Sequence, residues 1–431
     1  FDDQFLHTNG SALDFDYSET WALDTVGARR AWDQATGKGV VVAVIDTGVD
    51  YNHPDLWNNI WVNPETVSDV NLDGKINLDD LDLDGDHYIS PEELAIDSGA
   101  NFIGWDTSLS GDNDPMDRYG HGTHLAGIIS ATANNGIGIA GLAPDAKILP
   151  IKAFFDTGGA FVSDLLEAIE LSAQIYVDNP SIDSMVNNIS WGRTSVEDIS
   201  LLEDVLKLTH SLGIVNITAA GNRAADLAEE PFYPASFAST IAVGSSRQGT
   251  NTRSSFSSYG SVVDLFAPGG GDELNGSQHN ILSTMNRRAF LLNDDSKLVY
   301  VEPGTDYAYV RLRGTSQSTA YVSALAALLK EKNPTWDPEQ IREAMVQGSS
   351  AGTINAPKAL DYRLAQADLR IRINDFAKTE YAVDELVLLK LEVRNLVDEA
   401  NGVIDDAYDV VSRMRIPDGM FYDQTLNPTE P

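Results

Sequence analysis

The chain contains no cysteine among its 431 residues. That excludes a disulfide framework, a thiol nucleophile and any thiolate metal site, and it leaves the compartment open. No apolar run reaches the roughly 18 residues that a membrane-spanning helix needs, so none is expected. Basic residues are scarce: 29 Lys and Arg stand against 65 Asp and Glu, for a formal net charge of −36. Such a balance argues against nucleic acid or an anionic membrane as partner. It suits calcium binding, high solubility or a saline habitat, although most of these carboxylates need be no more than a solvated surface. The start Phe1-Asp2-Asp3-Gln4 lacks the basic residues and apolar segment of a signal peptide. An exported form of this protein is therefore expected to be a processed one.

The length exceeds one average domain and leaves room for a large core. Three stretches carry chemistry. Val40-Val41-Val42-Ala43-Val44-Ile45 is an unbroken, mostly β-branched run that reads as a buried parallel strand, with Asp46 at its carboxyl end. A carboxylate there is costly without a hydrogen-bonding partner. His121-Gly122-Thr123-His124 opens a helix of small residues. Gly314-Thr315-Ser316-Gln317-Ser318-Thr319-Ala320 places a serine at the start of another, where N–H groups and the helix dipole favour developing negative charge. Each stretch alone is ordinary capping or packing. Together, in the order Asp, His, Ser, the three resemble the subtilisin-like serine proteases, the subtilases, over residues 20 to 366.

The resemblance implies a catalytic triad of Asp46, His121 and Ser316. An alcohol needs a base, which His121 supplies, while Asp46 holds the imidazole and stabilises its protonated form. His124 is read as packing. The resemblance also makes Asn222, after Ala219-Ala220-Gly221, the oxyanion asparagine beside the Ser316 N–H. Ser190-Trp191-Gly192 matches the segment that pairs with an extended substrate backbone, and Gly192 with Ala219, Ala220 and Gly221 would wall the primary specificity pocket. Trp191 is larger than the leucine often found there, and Arg193 could favour acidic substrate side chains. The family usually has Met-Ala-Thr-Pro-His after the serine, where this chain has Gln317-Ser318-Thr319-Ala320-Tyr321. Neither the missing proline nor the missing thioether is required by the chemistry.

Two acidic loops point to structural calcium. Asp69, Asn71, Asp73, Lys75 and Asp80 fall in a twelve-residue loop of EF-hand type, with Gly74 at its sixth position and an aspartate at its twelfth, as in dockerin-type loops. A second loop runs through Asp82, Asp84, Asp86 and Tyr88 to Glu93, with His87 where glycine is usual, a turn that disfavours a side chain. Calcium is expected to fold this insertion rather than to act in the reaction. Resemblance further implies a family calcium loop at Asp55 and Asn135, with the carbonyls of Ile137 and Ile139 as ligands.

Elsewhere, Trp21 to Trp32 reads as a helix. Strands at 147–152, 184–190, 213–219, 240–244 and 262–266 alternate with helices at 162–176 and 196–212. That is an α/β, doubly wound, mostly parallel sheet flanked by helices, with ligands at the strands' carboxyl ends. Residues 289–292 and 298–301 suggest a hairpin in a long insertion before the serine. Past Asp361 the pattern turns to strict alternation at 369–373, 389–394 and 414–416, the mark of a small all-β, sandwich-like domain. The expected organisation is an N-terminal arm over 1–20, a catalytic domain over 21–365 with the calcium insertion at 69–94, and a β-domain over 366–431, short for a complete sandwich.

The reading is a calcium-stabilised serine endopeptidase, secreted, acting on proteins or peptides, with a removed leader as a further partner of the kind the family commonly has. The alternative is an inactive subtilase fold used for binding. An esterase with the same triad is disfavoured by the absence of a G-x-S-x-G elbow.

Overall fold

The computed structural model describes residues 21–90, 93–94, 104–108, 114–194, 199–249, 252–271, 277–291, 298–301, 305–350, 352–363, 369–373 and 391–395. The expected arm over 1–20 and the strand at 414–416 lie outside them. Contacts divide the chain into two compact units, 1–362 and 363–431.

The first unit is built on a seven-stranded, wholly parallel sheet. Its strands are β1 (Val40–Asp46), β2 (Trp105–Asp106), β3 (Lys147–Lys152), β4 (Ser184–Ile189), β5 (Val215–Ala219), β6 (Ile241–Ser246) and β7 (Leu265–Pro268). They lie in the order β2-β3-β1-β4-β5-β6-β7. All seven residues of β1 are buried. Val40, Val42 and Val44 enter one apolar core, while Val41, Ala43 and Ile45 enter the other. A strand covered on both faces needs no polar alternation, hence the β-branched run. The chain leaves β1 for β3 on one side and then returns to β4 on the other, which opens a crevice at the carboxyl ends of β1 and β4.

Helix α3 (His121–Ser130) and helix α6 (Thr315–Lys332) pack against each other on one face of the sheet. Helices α4 (Val162–Asp178) and α5 (Ile199–Ser211) cover the other. Thr315 through Lys330 are all buried, and apart from Gln317 and Lys330 they are apolar or small, so α6 has no polar face. The helix expected over 21–32 is two, α1 (Trp21–Val26) and α2 (Ala28–Trp32), because Gly27 between them has φ 77°, which no helix continues through.

The insertion before α6 forms a separate antiparallel sheet of β8 (Ile281–Asn286), β9 (Leu298–Val301) and β10 (Tyr307–Leu312), ordered β8-β10-β9. The hairpin partner of 298–301 is thus 307–312, not 289–292, where Ala289 closes a turn by donating its N–H to Asn286. Helices α7 (Pro338–Gly348) and α8 (Ala356–Asp361) complete the unit. In the second unit, β11 (Leu369–Ile373) pairs antiparallel with β12 (Leu391–Asn395), Ile371 opposite Val393, which fits a small β-domain.

Candidate active site

Asp46 ends β1 at the crevice and is buried. Its Oδ1 accepts the Thr47 N–H at 2.8 Å and lies 2.7 Å from His121 Nδ1. The buried carboxylate therefore has the partner its cost demands. His121 reaches it because α3 starts close beneath the turn after β1. Gly122 donates its N–H to Thr47 Oγ1 at 2.9 Å, and a Cβ at Gly122 would collide with the carbonyl of Gly48. Burial lowers the imidazole pKa, but the charge of Asp46, its hydrogen bond and the charge of Asp117 outweigh it and leave His121 above the ordinary histidine value.

Ser316 is the second residue of α6, at the edge of the crevice. Its hydroxyl donates to the Ser190 carbonyl at 3.0 Å, and the Ser190 hydroxyl returns a bond to the Ser316 carbonyl at 3.2 Å. Asn188 and Ser323 extend this link: Asn188 Nδ2 donates to Ser190 Oγ at 3.1 Å and Ser323 Oγ to Asn188 Oδ1 at 2.9 Å. The end of β4 is thereby tied to α6. Asn222 lies two residues beyond Ala220, whose N–H is held by Val243 at 2.9 Å. Its Oδ1 accepts from the N–H and hydroxyl of Thr315, so Nδ2 is the amide's remaining, donating end.

The remaining sequence-derived residues sit around this centre. Trp191 donates its indole N–H to the Ile45 carbonyl at 2.9 Å, beside the Phe154 ring. Its bulk is thus directed under β1. Arg193 exchanges backbone bonds with Tyr233 at 2.7 and 2.8 Å. Gly192 and Gly221 face a common neighbour, the ring of Phe232.

His124 is buried, with Nε2 3.2 and 3.3 Å from the carbonyls of Ile281 and Val310. Burial, with the neighbouring His121 charge, pushes its pKa down to about 3. It is a neutral donor that joins α3 to β8 and β10, a packing role.

The two acidic loops share one frame. In the first, Asp80 accepts the N–H of Val70 at 2.8 Å and of Asn77 at 3.0 Å. In the second, Glu93 accepts the N–H of Leu83 and of Ser90, both at 2.8 Å. Positions four and six are left-handed in both: Leu72 (φ 59°) and Gly74 (φ 82°), then Gly85 (φ 77°) and His87 (φ 59°). His87 accepts the turn that its side chain disfavours while its ring packs edge-on to Trp57, centroids 5.5 Å apart. Oxygens of Asp82, Asp84 and Asp86 lie within 4.8 Å of one another. Asp69, Asn71 and Asp73 occupy the matching positions of the first loop, with Lys75 and Tyr88 equivalent at the seventh. Converging hard oxygens of this kind fit calcium. Ile89 anchors the second loop: it is buried and exchanges two bonds with Asn52, at 2.8 and 3.1 Å.

The family loop at Asp55 is different. Asn135 Nδ2 donates to Asp55 Oδ1 at 2.8 Å, and the Ile139 N–H and Tyr309 hydroxyl donate to Oδ2 at 2.8 and 3.3 Å. The Ile137 N–H is given to Asn135 Oδ1 at 3.1 Å. This is a carboxylate satisfied by protein donors. The carbonyls of Ile137 and Ile139, which the resemblance implies as calcium ligands, take no part in these bonds.

One functional side chain was missed from the sequence. Asp117 is buried and accepts from the N–H groups of Tyr119 (2.9 Å), Gly120 (2.7 Å) and Thr123 (2.9 Å) and from the Thr123 hydroxyl (2.7 Å). It thereby caps the helix that His121 opens. An acidic residue a few positions before a helix start was the available signal.

A model described as the subtilase family, Peptidase S8, matches residues 37–366. Subtilisin Savinase of Lederbergia lenta is 32% identical over 340 residues, spanning 78% of this chain and 94% of that protein. An extracellular protease of Xanthomonas campestris pv. campestris is 30% identical over 380 residues, 83% of this chain and 58% of that one. A solved protease from Pseudoalteromonas arctica PAMC 21717 superposes with a TM-score of 0.61 at 25% identity, covering 80% of this chain and 96% of that one.

Proposed function

The chain belongs to the subtilase family and is a serine endopeptidase; on that premise we propose that it cleaves peptide bonds through an acyl-enzyme on Ser316, with His121 as base, Asp46 as its partner and Asn222 as an oxyanion donor. The observation that carries this reading is the 2.7 Å contact between Asp46 Oδ1 and His121 Nδ1 at the carboxyl end of β1. With Nδ1 occupied by Asp46, Nε2 is the nitrogen free to take a proton.

In the first step the Ser316 hydroxyl leaves the Ser190 carbonyl, attacks the scissile carbonyl and passes its proton to His121. Asp46 stabilises the resulting imidazolium. The developing oxyanion is met by Asn222 Nδ2 and the Ser316 N–H, both held before reaction begins. His121 then protonates the leaving amine. Water, activated by the same imidazole, releases the acyl group. The substrate backbone lies along Ser190-Trp191-Gly192, and its reacting residue's side chain sits between Gly192 and Ala219-Ala220-Gly221.

The loops over 69–94 hold calcium through Asp69, Asn71, Asp73, Lys75 and Asp80 and through Asp82, Asp84, Asp86, Tyr88 and Glu93. When bound, the ion supplies folding energy, not chemistry. We take 21–365 as the catalytic domain and 366–431 as the β-domain. The site of action is outside the cell, with protein or peptide substrates and a cleaved leader as an earlier partner.

The test is labelling with a fluorophosphonate in calcium buffer, followed by peptide mapping. A single adduct on Ser316, absent in Ser316→Ala and in heat-denatured protein, is the expected result. Folded, calcium-loaded protein that takes no label would overturn the reading.

A further inference from the structure

We infer that Phe232 fills the deep end of the primary specificity pocket, so that the enzyme cleaves after small residues such as alanine and serine rather than after aromatic ones. This rests on the proposed placement of the substrate between Gly192 and Gly221.

Both walls of that space are bare backbone, and one ring lies against both. A Cβ at Gly192 would come 2.7 Å from Phe232 Cζ, and a Cβ at Gly221 would come 3.1 Å from Phe232 Cε1. The same edge of the ring therefore spans the gap between the two glycines. Glycine walls leave room for a side chain between them; here the chain fills much of that room itself.

The ring is held there by its backbone. Tyr233 is paired with Arg193 on both sides, by bonds of 2.7 and 2.8 Å, which sets Phe232 next to Gly192. Phe232 donates its N–H to Ser236 Oγ at 3.1 Å and accepts the Ser236 N–H at 2.9 Å. The ring packs against the buried Ala220, Leu227, Ala235 and Ala242. It is only partly buried, as expected of a residue that forms a pocket floor and not a core. A close-packed wall of this kind resists an added ring, and hydrophobic pockets separate side chains by size over a range of about 10- to 200-fold.

The experiment compares the full chain with Phe232→Gly and Phe232→Leu in calcium buffer. The substrates are two peptide p-nitroanilides that differ only in having Ala or Phe at the cleaved position, and Ser316 labelling gives the concentration of active sites. The wild type should favour Ala by at least about 10-fold in kcat/KM. Phe232→Gly should move the ratio toward Phe by a similar factor, and Phe232→Leu, which preserves apolar packing, should move it part of the way. A wild type that cleaves the Phe substrate as well as the Ala one overturns the inference, as do labelled variants with an unchanged ratio. Loss of labelling in the wild type instead overturns the catalytic assignment and the inference with it.

Discussion

Thr315 holds Asn222 from two sides: its backbone N–H reaches Asn222 Oδ1 at 2.8 Å and its hydroxyl reaches the same oxygen at 3.1 Å. The hydroxyl also accepts the Gly221 N–H at 3.1 Å. The residue before the nucleophile thus fixes which end of the Asn222 amide is the acceptor and which is left to donate. A donor oriented before reaction needs no reorganisation when charge develops.

Asn222→Ala should accordingly lower kcat by about 100- to 1,000-fold, the size known for loss of one such donor in a subtilisin. Thr315→Val retains the backbone bond and loses the hydroxyl, so a smaller fall of about 10-fold in kcat is expected, with KM little changed. Thr315→Ser should restore most of it. Steady-state kinetics on one peptide p-nitroanilide separate these cases. Equal kcat in Thr315→Val and wild type would remove the positioning role.

The acidic limb of kcat/KM should report His121. The base acts when neutral, and its pKa is raised, so activity is lost as pH falls through a value on the alkaline side of the ordinary histidine 6.5. Asp46→Asn keeps an amide against His121 but removes the charge, the largest of the effects that outweigh burial. The limb should then move to lower pH, while kcat drops by about 10,000-fold. An unmoved limb in a variant still titratable by fluorophosphonate would assign that ionisation to another group.

Much of this centre was legible in the sequence because it depends on local pattern. The run over Val40–Ile45 predicted a strand buried on both faces, and its Asp46 is at the crevice where that placement puts it. Phe232 and Thr315 were not legible as site residues, since each gains its role from a chain segment far away in sequence: Gly192 for one, Asn222 for the other. Tyr309, contributed by the insertion before α6, was likewise not legible as a neighbour of Asp55, to whose carboxylate it brings a hydroxyl from 254 residues away. The strand pairing of 298–301 was misread because alternation identifies strands without naming their partners.

Calcium removal should act through the fold. Chelation leaves Asp82, Asp84 and Asp86 with their oxygens within 4.8 Å and no cation between them, so mutual repulsion opens the loop. Ile89 and its bonds to Asn52 then loosen, six residues past Asp46. The expected result is a lower Tm and proteolytic nicking within 69–94 in chelator, both reversed by calcium. Asp82→Ala with Asp84→Ala should show the low Tm with calcium present. A Tm independent of calcium would reduce these loops to an acidic surface.

The last expectation concerns acid stability. The folded His124 has its pKa pushed down to about 3 by burial and the neighbouring His121, against 6.5 when free. The unfolded chain therefore binds the extra proton first. Stability from the neutral imidazole is complete above 6.5 and is lost as pH falls toward 3, by up to about 1.4 kcal/mol per pH unit. Asp50 works the other way: burial raises it from 3.8 to about 6, so its contribution falls as pH rises through that window. The wild-type curve sums these opposing groups, and a single substitution is needed to isolate one. His124→Gln offers an N–H to the same carbonyls of Ile281 and Val310 and has no charge to acquire. Urea unfolding from pH 7 to 4 in saturating calcium should give the variant a shallower loss of stability than the wild type, by about one proton's worth of slope. Parallel curves would mean that the ring gains its proton in the folded state as readily as in the unfolded chain, and that the joint between α3 and β10 is open to solvent.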